Sequence, residues 1–153
     1  MTQGPDYLEA RIDKFILRVA RDRAYTAEGV WALAEGDGTV RVGVSDFLQQ
    51  SSGDVTFATV RPAGTHLSAG DPFISYETIK IVTELGSPVA GTIAEVNPEL
   101  ALWPERINQE PYGAGWLARL AVDPASPAGP PLLDPPAYFE LMKRRAEEEI
   151  AGR

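Results

Sequence analysis

Between Gly29 and Gly115, glycine and proline recur at short intervals, and the segments they separate are short and apolar. Such punctuation suits strands joined by turns and leaves little room for helices, so an all-β domain is predicted. Thr39-Val40-Arg41-Val42-Gly43-Val44 alternates well and places three valines on one face. Gly36-Asp37-Gly38 reads as a tight hairpin turn joining it to a strand over Val30–Glu35. Further strands are predicted over Val55–Val60, Phe73–Thr78, Ile81–Leu85, Gly91–Val96 and Trp116–Ala121. Ser45 stands where it can cap a short helical turn reaching Gln50.

The ends differ from this β domain, assigned to residues 24–122. Within residues 1–23, Leu8, Ile12, Phe15, Ile16 and Val19 fall on one face of a helix with charges opposite, which predicts an N-terminal amphipathic helix. Residues 123–153 begin as a connector in which Pro124, Pro127, Pro130, Pro131, Pro135 and Pro136 exclude regular structure. Tyr138–Ile150 then reads as a surface helix with Lys143–Glu147, Arg144–Glu148 and Arg145–Glu149 at i,i+4.

At 153 residues the chain is long enough for about one domain. It has no cysteine and one histidine, which removes Cys-based zinc sites, disulfide scaffolds, thiol nucleophiles and His-rich metal centres. A net charge of −8 opposes nonspecific nucleic-acid binding and a polybasic membrane surface. No apolar run approaches the ~20 residues of a membrane helix. Met1–Asp6 carries no basic lead into an apolar stretch, so a cytoplasmic location is expected. The protein is also expected to be a monomer.

The most informative stretch is Gly64 to Gly91. Gly64 and Gly70 precede the strand Phe73–Glu77, after which come Glu77-Thr78-Ile79-Lys80, a second strand, and Ser87-Pro88-Val89-Ala90-Gly91. This reads as a protruding hairpin with Lys80 at or near its tip, where the ammonium leaves the sheet while Ile79 and Ile81 stay near it.

These residues resemble a lipoyl-attachment hairpin, and the flanking text is similar to the glycine cleavage system H protein family. Val42-Gly43-Val44-Ser45-Asp46-Phe47, Ser52-Gly53-Asp54-Val55, Gly91–Glu99 and Ile107–Leu117 each resemble a segment of that family, in order. The resemblance covers about Tyr25 to Val122 well, and Tyr138–Glu149 resembles the family's C-terminal helix more weakly. It implies a lipoyl-type barrel-sandwich hybrid with an N-terminal helix and a C-terminal helical tail. It also implies a carrier rather than an enzyme. Lipoate would be the covalent cofactor on Lys80, with Glu77 the acidic residue recognised during lipoylation by a lipoate ligase or lipoyltransferase. The implied partners are a pyridoxal-phosphate glycine decarboxylase, an aminomethyltransferase and a dihydrolipoyl dehydrogenase. Isoleucines beside Lys80 favour lipoate, since a biotin carrier normally has methionines there. Without cysteine, the scaffold offers no thiolate to trap the arm as a mixed disulfide.

Two positions depart from the family pattern. The first-strand "HEW" motif, whose Glu helps hold the cationic aminomethyl amine, reads Gly29-Val30-Trp31 here. Phe47 stands where relatives often carry a polar residue or His. A more apolar shielding cleft is expected, and with it a different cargo or partner set; an H-like lipoate-binding protein of sulfur oxidation is one such alternative. An unlipoylated β-sandwich interaction module is another. Elsewhere His66 reads as a surface residue, Ser68 and Asp71 lack the setting of a triad, and Glu147–Glu149 is a helix face. Trp31 and Trp116 read as core anchors, whereas Trp103 is core first and partner contact second.

Overall fold

The computed structural model describes residues 6–125 and 131–152. Its N-terminal segment corrects the sequence expectation: the anticipated helix is an antiparallel hairpin of β1 (Tyr7–Ile12) and β2 (Phe15–Ala20). Leu8, Ile12, Phe15 and Val19 fit a period of two within each strand as well as a helical period across both. Ile16 and Leu17 separate the two patterns. Strand β2 buries Phe15, Leu17 and Val19, while Ile16, which a helix would turn inward, is 41% exposed. Asp13 and Lys14 form the two-residue turn, with Asp13 at a φ of 54° that a short Asp side chain tolerates.

The β domain follows its predicted punctuation. After β3 (Ala24–Tyr25), β4 (Val30–Ala34) and β5 (Thr39–Val44) pair around Gly36-Asp37-Gly38, closed by Glu35 N–H donating to the Thr39 carbonyl at 3.0 Å. Ser45 caps α1 (Asp46–Ser52), its Oγ accepting from Leu48 N–H at 3.2 Å. Then come β6 (Val55–Val60), β7 (His66–Leu67), β8 (Pro72–Thr78), β9 (Val82–Gly86), β10 (Gly91–Val96), a short α2 (Arg106–Gln109) and β11 (Ala118–Val122). A six-stranded sheet runs β3-β4-β5-β11-β10-β7, and a three-stranded sheet runs β6-β8-β9. Val30, Val42, Val44, Ile93 and Leu120 of the first sheet share a core with Val55, Phe73, Ile74 and Leu85 of the second. Trp31 lies across its strand partner Gly43, where a Cβ would sit 2.4 Å from the indole ring, so glycine alone fits there.

The C-terminal helix α3 (Pro135–Ala151) starts earlier than predicted and includes Pro135 and Pro136, which were expected to exclude regular structure. They occupy its first turn, where the missing N–H costs nothing, and Asp134 caps it by accepting from Ala137 N–H at 2.9 Å. Pro127 and Pro130 lie outside the described residues. The helix is more than a surface element: Tyr138, Met142 and Ala146, at i, i+4 and i+8, are fully buried. With Phe15, Leu17 and Val19 of the hairpin and Tyr25, Trp31 and Phe47 of the β domain they build a second core. Tyr25 and Tyr138 stack in parallel at 4.3 Å. Of the anticipated helix charges, Lys143 pairs with Glu140 at 2.8 Å rather than with Glu147, and Glu149 accepts from Ser51 Oγ at 3.2 Å. Among the described residues, no helix is long and apolar enough to cross a membrane.

Burial raises the pKa of the phenols of Tyr25, Tyr76, Tyr112 and Tyr138 above their ordinary value of 10.0. In the folded chain these groups keep their protons where the unfolded chain loses them. Their stabilising contribution is therefore complete below about pH 10 and is lost as pH rises beyond it. Phenolate absorbance and loss of near-ultraviolet dichroism should rise together above about pH 10. Ionisation of these phenols with the dichroism intact would contradict the burial.

Candidate functional site: the β8–β9 hairpin tip

Strands β8 and β9 meet in the turn Thr78-Ile79-Lys80-Ile81, closed by Thr78 N–H donating to the Ile81 carbonyl at 2.9 Å. The buried Thr78 tightens it: its Oγ1 accepts from the amides of Lys80 and Ile81, each at 3.2 Å. The backbone of Lys80 is thus held while its side chain stays exposed. Lys80 Nζ donates to the Ser51 carbonyl at 2.8 Å. That carbonyl lies in the last turn of α1, where the helix offers no amide partner of its own. The lysine stem passes Gly53, whose missing Cβ would lie 3.6 Å from Lys80 Cε. Asn108 anchors this loop, accepting from Val55 N–H at 2.8 Å and donating to the Gly53 carbonyl at 2.9 Å.

The isoleucines correct one expectation. Ile79 does not stay near the sheet; it is 92% exposed, because a residue at the apex of a four-residue turn has no neighbouring strand to cover it. Glu77 is exposed on the outer sheet face, in register with Phe57 on one side and Val82 on the other. Both of these apolar neighbours are exposed as well. Glu77 and Lys80 form no ion pair with each other among the described residues, so the carboxylate and the amine are separately presented.

Other singled-out residues fall outside this site. His66 is exposed with Nδ1 3.3 Å from Thr92 Oγ1. Ser68 and Asp71 close a turn on each other's backbone, with Ser68 N–H donating to Asp71 Oδ2 at 2.8 Å. Trp31 is buried, its Nε1 donating to the Pro111 carbonyl at 2.9 Å and the Arg23 guanidinium 4.5 Å from its ring. Trp116 packs at the edge of the second core, whereas Trp103 is surface-exposed. Sequence reasoning missed the Ser51 carbonyl, because a backbone acceptor has no residue signature; a capped helix ending at a glycine was the available clue.

Known proteins share this frame. The family model described as glycine cleavage H-protein matches residues 23–145. The glycine cleavage system H protein of Rubrobacter xylanophilus is 40% identical over 131 residues, covering 86% of this chain and 97% of its own. That of Mycobacterium avium is 44% identical over 120 residues, covering 76% and 91%. The crystal structure of the H protein from Mycobacterium marinum superposes with a TM-score of 0.73 at 34% identity, covering 80% of this chain and 97% of that one. The chain belongs to the glycine cleavage H-protein family. Its fold is accordingly a barrel-sandwich hybrid with a C-terminal helix.

The two departures from the H-protein pattern now have structural settings. Phe47 packs against Phe15 with ring centroids 5.7 Å apart. Phe15 belongs to the β1–β2 hairpin, which precedes the stretch matched by the family model, so the apolar residue on α1 packs against an element outside that stretch. Val30 is fully buried in the main core and lines no surface, so its apolar character does not itself make the surface around Lys80 more apolar.

Proposed function

We propose that this H-family protein is a lipoylated carrier, with lipoate joined by an amide to Lys80 Nζ and Glu77 read by the enzyme that attaches it. The observation that carries the reading is the tip itself: an exposed lysine, held at the backbone by Thr78, beside an isoleucine with almost no contacts. The residues fit the group. Among the described residues Lys80 Nζ has one acceptor, the side chain is exposed, and an amide there keeps an N–H that can still donate to the Ser51 carbonyl. A bound lipoyl group supplies a disulfide that takes up a transferred group together with two electrons. The protein's part is placement: the Thr78 turn sets where the arm begins, and the Asn108-anchored loop keeps the docking carbonyl in place.

On this reading the chain is non-catalytic and works in the cytoplasm. It would present an aminomethyl group in turn to a pyridoxal-phosphate glycine decarboxylase and an aminomethyltransferase, with a dihydrolipoyl dehydrogenase reoxidising the arm. Another cargo is the second reading: Val30 stands where the family pattern carries the Glu that helps hold the cationic amine, and Phe47 packs on Phe15, so neither position supplies a carboxylate.

The role of Glu77 is tested by Glu77→Gln. The side chain is exposed and forms no ion pair among the described residues, so thermal stability should stay within about 0.5 kcal/mol of the parent. The rate of enzymatic lipoylation, followed by intact mass, should fall about tenfold or more, as expected when a charge-assisted contact is lost. An unchanged rate would remove Glu77 from the recognition site.

A further inference from the structure

We propose that the free edge of β6 and the groove beside it bind an extended, alternately apolar and basic segment of a partner protein by strand addition. The proposal deepens the carrier reading, since β6 is the direct neighbour of β8, the strand that leads into the Lys80 turn. Among the described residues β8 is the only strand that pairs with β6, and outside that pairing the Val55 amide is held by Asn108. Arg61 N–H donates to the Phe73 carbonyl at 2.9 Å, and the register steps back by twos through Thr59–Ser75 and Phe57–Glu77. Those odd-numbered residues therefore turn their amides toward β8, and Ala58 and Val60 turn theirs outward. The outward row faces a groove of about 610 Å³ whose far wall includes Leu100, Leu102 and Pro104.

Soluble proteins protect such edges with charge, proline or a cover. Here Val55-Thr56-Phe57-Ala58-Thr59-Val60 carries no charge and no proline, and Phe57 and Leu102 at the groove are 61% and 71% exposed. An extended segment gains main-chain bonds from the outward amides and carbonyls, and its alternate side chains gain the apolar groove. Charge selects the rest. Asp54 precedes β6, Glu77 is in register with Phe57, and Glu99 and Glu105 bracket the loop that forms the wall. None of these four forms an ion pair among the described residues. Against them stand Arg61 at the strand's end and Arg106, which lies 5.9 Å from the Trp103 ring. The local excess is acidic, as is the chain as a whole at −8, so a basic segment is the complement.

The test uses the full chain with two capped octapeptides, alternating Val-Lys and alternating Val-Glu. Binding of the Val-Lys probe should slow hydrogen exchange at the amides of Ala58 and Val60 about tenfold or more, with little change at Thr59. Ala58→Pro removes an outward donor without removing a ladder bond, and Phe57→Lys places a cation at the rim of the groove. Each should weaken the probe about tenfold. Phe57→Lys alters only an exposed side chain, so it keeps the test decisive if the proline variant misfolds. No protection at Ala58 and Val60, equal binding of the Val-Glu probe, or a concentration-dependent dimer whose own pairing protects these amides would each overturn the proposal. Lipoylation of Lys80, measured by mass on the same samples, reports separately on the carrier reading.

Discussion

Replacing Lys80 by arginine should remove every lipoyl increment from the intact protein while leaving its unfolding midpoint unchanged. The two halves of this result have separate causes. Arginine keeps a cation that can still donate to the Ser51 carbonyl, and the lost ammonium contact is a single exposed hydrogen bond at 2.8 Å. A surface change of this kind alters stability by no more than about 0.5 kcal/mol. The guanidinium, however, is always protonated and provides no amine that can form the lipoyl amide, so modification and carrier activity vanish together. The measurement is intact mass of parent and variant purified from a host with active lipoylation, alongside thermal unfolding. An increment persisting in Lys80→Arg would place the arm elsewhere. An unmodified parent protein in such a host would favour an interaction module that retains the fold without the cofactor.

The second large effect is structural. Tyr138→Ala should cost about 3–5 kcal/mol, the range for removing a fully buried aromatic ring. For a chain of this size that lowers the unfolding midpoint by about 10 °C. Tyr138 joins three parts of the molecule: it is fully buried, it stacks on Tyr25 at 4.3 Å, and its hydroxyl lies 2.6 Å from Ser45 Oγ, the cap of α1. Tyr138→Phe keeps the stack and loses about 1 kcal/mol, since Ser45 Oγ still accepts from Leu48 N–H. Circular dichroism against temperature separates the two variants. If Tyr138→Ala melts with the parent protein, the second core does not hold α3 and the β1–β2 hairpin to the β domain.

Much of the β domain was legible because its signals are local. The alternation in Thr39–Val44, the Gly36-Asp37-Gly38 turn and the Ser45 cap each settle a backbone conformation within a few residues, and the structure reproduces them. Lys80 was legible for a related reason: a lone lysine between isoleucines suits a hairpin apex better than an ordinary strand edge. The N-terminal hairpin was misread because Leu8, Ile12, Phe15 and Val19 serve both periods, and only the partner surface decides which one is used. The docking of Lys80 on Ser51 joins residues 29 apart in sequence, and no local pattern carries that information.

By itself, then, the sequence determined a cysteine-free, acidic chain with an all-β domain and a glycine-bounded hairpin that turns at Lys80, since strand period, turn chemistry and charge are properties of neighbouring residues. Tertiary structure alone decided that β1 and β2 are strands, that α3 buries a face against them, and that β6 lies at an open edge beside an apolar groove. Burial and edge position are set by what lies across the core or sheet, and in this chain those partners come from distant segments of the sequence.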